Sequence, residues 1–229
     1  MNAATKPALP THKDLPETDG RPMENAIQML QIVLLTKVLQ PVLAALHPDG
    51  RYFIGQDVGI YYRRAEPPLD GCKAPDWFYV PGVEPLLDGE YRRSYVLWVE
   101  HQVPPVVVEF ASGTAADEHD ATPPRGKFWV YERLIGAPYY VIFNVDTEDL
   151  EGFELADGNY RPMTANKDGR FPIPPLGVEF GVWHGTYANY TLPWLRAYRP
   201  DGTPLPTSEE SAARLAAKLR ELGVDPDSV

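Results

Sequence analysis

The sequence contains one cysteine, Cys72. No disulfide can form within the chain, and a reducing, cytoplasmic setting is expected. It also lacks a long apolar run. The most apolar stretch, Ile32 to Leu46, is broken by Lys37, Gln40 and Pro41. It reads as too short for a bilayer span, which takes about 20 residues. The first 20 residues are rich in Pro, Thr and Asp and have no apolar segment of the signal-peptide kind, so no membrane association is expected. Basic residues are in the minority, 21 Lys and Arg against 32 Asp and Glu, for a formal net charge of −11. Such a chain repels polyanions overall, and any contact with nucleic acid must rest on a local basic patch or a partner. No Walker motif, zinc-ligand spacing or nucleophile elbow is present.

What is abundant is proline, 25 residues crowding the two ends and the loops. With 44% hydrophobic and 23% charged residues, the remainder is ordinary globular protein with enough length for one sizeable core. Residues 1–22 read as an irregular arm. From about Met23 to Leu39, Ile27, Leu30, Val33, Leu34 and Val38 recur at helical spacing. Arg51 to Arg64 reads as a strand pair or one bent strand, Trp77 to Val80 as a short strand, and Tyr95 to Val99 as another. Val106 to Phe110 reads as a central strand, apolar apart from Glu109.

A polar loop follows, then a helix from about Arg125 to Ile135 opened by Pro123-Pro124 and closed by Gly136, then a strand from Tyr139 to Asn144. Strand, helix, strand predicts a crossover unit with parallel strands. Asp157-Gly158-Asn159 marks a hairpin. After a proline-rich linker, Thr207-Ser208-Glu209-Glu210 is a capping-box signature for a tail helix with a thin stripe of Leu215 and Leu219. The expected division is therefore arm 1–22, a main domain 23–199, and linker plus tail helix 200–229. A homodimer through the tail is the first assembly to test.

Two carboxylates stand out by their surroundings. Asp76 opens a strand after Pro75, and Glu109 sits inside Val106-Val107-Val108. A carboxylate among apolar neighbours is costly to desolvate unless it is paired or metal-bound. Two such acids at neighbouring strand ends make an oxygen site for a hard cation, Mg²⁺ or Mn²⁺, which would activate water and stabilise a phosphoryl oxygen. Lys127, in the following helix, is placed to orient that water or stabilise the transition state. Simple solvation or salt bridging of the strand-end acids is the alternative. Arg63-Arg64 and Arg92-Arg93 are the tight basic pairs. They are candidates for phosphate contacts, with charged strand ends as the commoner explanation. His119 and Asp120, His101 and Gln102, and the turn Ser112-Gly113-Thr114 are weaker candidates. His184 reads as structural.

The chain also resembles a known family, the Uma-type restriction endonucleases of the PD-(D/E)XK nuclease superfamily. The resemblance runs from about Leu15 to Arg199. It is carried by Leu15-Pro16-Glu17-Thr18-Asp19-Gly20-Arg21-Pro22-Met23-Glu24-Asn25, Pro75-Asp76-Trp77-Phe78-Tyr79-Val80, Pro104-Pro105-Val106-Val107-Val108-Glu109-Phe110-Ala111-Ser112, Arg125-Gly126-Lys127 with Tyr131, and Gly136-Ala137-Pro138-Tyr139-Tyr140. Each motif alone is weak, and their order and spacing make the resemblance fairly specific for the fold.

The resemblance implies a restriction-endonuclease-like α/β (α+β) fold with a mixed central sheet flanked by helices. It matches Asp76 to the motif aspartate and Glu109 to the motif acid. The superfamily lysine two positions after that acid is Ala111 here, so the resemblance implies that its role has moved to Lys127. Glu24 matches an acid that reaches the site from the first helix, and the carbonyl of Phe110 is an implied metal ligand. The implied activity is metal-dependent hydrolysis of DNA phosphodiesters. The alternative, kept open by the net charge and by Ala111, is a nuclease-fold protein that binds a protein or nucleic-acid partner without cutting.

Overall fold

The apolar spacing around Leu34 and Val38 produces the helix expected of it, and the computed structural model, which describes residues 9–20 and 26–226, shows that helix running further than its sequence suggests. Helix α1 spans Ala26–Leu46 and passes through Pro41. An internal proline costs a backbone hydrogen bond, yet Leu43, beyond it, is fully buried along with Leu34, Leu35, Val38 and Leu39. Packing of the last turn holds the helix through the break. At 21 residues the whole of α1, which is longer than the Ile32 to Leu46 stretch, is long and apolar enough to cross a membrane by length and composition. Its apolar face is covered by protein, in one cluster with Val106, Val108, Trp194 and Leu195.

The strands follow as β1 Tyr52–Gly55, β2 Ile60–Tyr61, β3 Cys72–Lys73, β4 Trp77–Pro81 and β5 Tyr95–Val96. After the short helix α2 Leu97–Glu100 comes β6 Val106–Ala111. Helix α3 Lys127–Trp129 continues as a wider π-helical turn, Val130–Ile135. Then come β7 Tyr139–Asn144, β8 Leu150–Ala156, β9 Asn159–Pro162, β10 Phe171–Ile173, β11 Val178–Tyr187, β12 Tyr190–Tyr198 and the tail helix α4 Ser208–Glu221.

The main sheet has the order β1-β4-β6-β7-β8-β9. Its central pair, β6 and β7, is parallel, as the intervening helix requires, and the other pairings are antiparallel. The sheet separates two clusters. Val106, Val108 and Phe110 face α1 and the β10-β11-β12 meander, while Val107 and Ala111 face α3 through Val130 and Tyr131. This is a mixed sheet flanked by helices, the fold class expected.

Several local expectations change. The segment 51–64 supplies two strands that do not pair with each other. β1 joins the main sheet, and β2 joins a small sheet with β3 and β5. The strand expected over 95–99 ends at Val96, and Trp98 and Val99 belong to α2. The 112–124 loop is polar but not solvated throughout, since Ala115 and Glu118 are buried. Residues 200–207 fold back on β12. Leu205 is buried in the main cluster, and its N–H donates to the Ala197 carbonyl at 2.8 Å.

Beyond its first turn, α4 stands away from the core. None of its residues is buried, and Leu215 is exposed. Its start is tied down by the capping box of Thr207 and Glu210 and by Arg196, which is buried and holds Glu210 at 2.8 Å. In the arm, residues 9–20 form no helix or strand, but they dock on β2 and α2. Gly59 N–H donates to the Glu17 carbonyl at 2.7 Å, and the Trp98 indole donates to the Pro10 carbonyl at 2.8 Å.

Candidate active site

Strand register brings the two acids together. In the antiparallel pair β4–β6, Trp77 faces Val108, Phe78 faces Val107 and Tyr79 faces Val106. One step beyond β4, Asp76 falls opposite Glu109. Residues directly opposite in an antiparallel pair project from the same face of the sheet, here the face covered by α3.

The Asp76 Oδ2 accepts the Phe110 backbone N–H at 2.6 Å. Burial, then the negative charge of Glu109, pushes the Asp76 carboxyl up to about 8, and the two carboxyl groups are close enough to hydrogen-bond when one holds a proton. Glu109 is 1% exposed. Its Oε1 accepts the Tyr131 hydroxyl at 2.6 Å, and its Oε2 lies 3.3 Å from the Lys127 ammonium.

Lys127 reaches that position from the first residue of α3. Its ammonium also sits 2.8 Å from Glu118 Oε1. Burial alone would lower its pKa, but the surrounding charges of Glu109, Glu118 and Asp76 outweigh burial and hold it above the ordinary lysine value. Ala111 and Glu109 share a sheet face, so a small residue at 111 leaves space on the side from which α3 delivers the lysine. Tyr131, one turn further along, donates its phenol hydroxyl to Glu109. Its own deprotonation is pushed well upward by burial and by the Glu109 charge, so it stays a donor.

Three neighbours were not found from the sequence. Glu118, in the polar loop, is 6% exposed. Gln28 donates from α1 to the Phe110 carbonyl at 2.7 Å, the carbonyl expected to face a metal. Asp57, at the end of the β1 turn with φ 52°, donates its backbone N–H to the Asp76 carbonyl at 3.2 Å. Burial, then the charges of Asp19 and Glu109, raises the Asp57 carboxyl to about 6. It lines a cleft of about 300 Å³ with Glu17, Gln56 and Arg93. A carboxylate in a polar turn such as Gln56-Asp57 carries no sequence signal of its own. Only pairing of β1 with β4 brings it to Asp76.

The other candidates are placed elsewhere. Glu24 lies outside the described residues. Arg92 is buried and bonded to both oxygens of Glu100, at 2.7 and 3.1 Å, and it stacks on Phe53. It is therefore not available as a phosphate contact, which corrects that expectation. Arg93 is half-exposed and paired with Glu17 at 2.7 Å. Arg63 and Arg64 are exposed, and Arg63 donates to the Asp70 carbonyl at 3.0 Å. His119 bonds to Ala115 and Glu151, Asp120 accepts the Thr122 N–H, and His101 caps α2 in a left-handed conformation. His184 pairs with Glu148 at 2.8 Å.

Among the described residues no three His, Cys, Asp or Glu side chains are grouped as a metal site. The described donors are the Asp76 and Glu109 carboxylates and the Phe110 carbonyl. All are oxygens, the donor type a hard divalent cation takes. One lysine, Lys127, lies between Glu109 and Glu118 with Asp76 opposite Glu109, so carboxyl groups outnumber cations in this corner and the donor set fits such an ion.

A solved chain similar to this one is described as a putative nuclease belonging to DUF820 from Anabaena variabilis ATCC 29413. It is 14% identical, with a TM-score of 0.45 over 73% of this chain and 91% of that one. No curated protein matches. A family described as "Uma2: Putative restriction endonuclease" matches residues 21–193, a span that contains α1, Asp76, Glu109 and Lys127, and the chain belongs to that family.

Proposed function

We propose that the protein is a metal-dependent endonuclease that hydrolyses DNA phosphodiester bonds at the site of Asp76, Glu109 and Lys127. The observation that carries the reading is the meeting of two carboxyl groups and one ammonium in a buried corner of the sheet, with family membership in support. Asp76, Glu109 and the Phe110 carbonyl would hold Mg²⁺ or Mn²⁺, with Glu24 as an accessory acid. The ion would supply Lewis acidity and a lowered pKa for water.

The chain's own residues do the rest. Tyr131 orients Glu109 by its 2.6 Å hydrogen bond. The Phe110 N–H fixes Asp76. Lys127 places a positive charge where a phosphoryl oxygen gains negative charge. Arg93, Arg63 and Arg64 remain as exposed cations for the DNA backbone. A cytoplasmic setting and a homodimer, with Leu215 and Leu222 left exposed at the tail, belong to the same reading.

The test is nicking of supercoiled plasmid by the full chain with Mg²⁺ or Mn²⁺, with chelator, and with Asp76→Ala. Cleavage that needs both the ion and Asp76 supports the reading. A folded parent that binds DNA without cutting it under any of these conditions favours the non-catalytic alternative.

A further inference from the structure

The loop between β6 and α3 carries Glu118 into the protein interior. Its backbone carbonyl accepts the Tyr140 hydroxyl at 3.1 Å, and its Oε1 meets the Lys127 ammonium at 2.8 Å, closer than the 3.3 Å to Glu109. The loop is pressed against the start of α3. A Cβ at Gly126 would lie 2.2 Å from the Asp120 carbonyl oxygen, so backbone meets backbone and glycine is required there. Glu118 is thus fixed at both its main chain and its side chain.

We infer that Glu118 is a positioning residue that holds the Lys127 ammonium beside Glu109. The inference rests on the proposed role of Lys127. Glu109 alone is a poor anchor for that ammonium, because a divalent cation on Asp76 and Glu109 would occupy the Glu109 charge and repel a like charge close by. Repulsion between charges a few ångströms apart is strong where water is excluded. Glu118 arrives from the loop and not from the sheet, and it supplies a second countercharge. The lysine then stays in place when the site is loaded.

The test compares the parent with Glu118→Gln and Glu118→Asp, with Lys127→Arg to assign signals. In the metal-free, ¹⁵N-labelled protein the Lys127 ammonium should give a slowly exchanging signal. Exchange should quicken at least tenfold in Glu118→Gln and by less in Glu118→Asp. In cleavage assays Glu118→Gln should lower kcat ten- to a hundredfold with KM within twofold, and Glu118→Asp should recover part of the loss. Unchanged ammonium exchange in Glu118→Gln would overturn the inference. Should that variant fail to fold, unchanged exchange in Glu118→Asp, whose carboxylate is drawn back by one methylene, would overturn it equally. A parent that shows the exchange effect but never cleaves DNA would refute the nuclease reading and leave the positioning role standing.

Discussion

Lys127 lies 2.8 Å from Glu118, and Lys218 lies 2.9 Å from Glu221. By length alone the two ion pairs are the same contact. The first is among buried groups, with the lysine side chain 17% exposed and Glu118 8%, whereas in the tail the values are 67% and 65%. In the tail, water solvates both charges whether or not they touch, and such pairs contribute little. Under α3 both charges are largely withdrawn from water, so each depends far more on its partner. Burial, more than contact distance, separates an interaction that shapes the site from one that decorates a helix.

The comparison can be broken by removing one partner at each place. The largest effect is expected at Lys127. Lys127→Ala should lower the cleavage rate by about 10²–10³-fold, measured by single-turnover cleavage of a labelled duplex, with the fold checked by circular dichroism. Next is Tyr131→Phe, which takes one donor from buried Glu109. It should cost about 1–3 kcal/mol in urea unfolding. A value near zero would mean that water replaces the phenol and that the corner is wetter than its burial indicates.

A pH series sharpens the contrast further. Asp76 is raised to about 8 in the folded chain from an ordinary 3.8. The stability associated with its protonated form is therefore complete below about pH 4 and is lost as pH rises toward about 8. Asp76→Asn stays neutral throughout. Its Tm should match the parent's near about pH 4.5 and exceed it by a growing margin up to about pH 8.5. A constant offset would argue against the raised carboxyl.

The smallest effects belong to the tail. Thr207→Ala removes the N-cap of α4, worth about 1 kcal/mol, and should speed hydrogen exchange across 208–221 several-fold while the sheet is unaffected. Lys218→Ala should change nothing measurable.

Much of this architecture was legible in the sequence because it follows local rules. The apolar period gave α1, the unbroken run gave β6, and the capping box gave the start of α4. The pairing of Asp76 with Glu109 was legible because both sat at odds with apolar neighbours. The expected boundaries failed where tertiary contacts overrule local signals. α1 passes Pro41 because Leu43 has a core to fill, and Tyr95–Val99 divides because Trp98 turns to meet the arm at Pro10. Glu118, Asp57 and Gln28 were not legible. They lie in a polar loop, a turn and an apolar helix, and only strand pairing and the closure of the loop on Gly126 place them. Arg92 read as a surface cation because sequence proximity to Arg93 says nothing of Glu100, eight residues on, which holds it inside.

The most direct test of the central claim is a Mn²⁺ titration of the full chain, followed by electron paramagnetic resonance and calorimetry, for the parent and for Asp76→Asn and Glu109→Gln. The account predicts saturable binding by the parent, which falls sharply in both variants while their circular dichroism spectra stay native. Binding that is absent in the folded parent, or that persists unchanged in both variants, would contradict it.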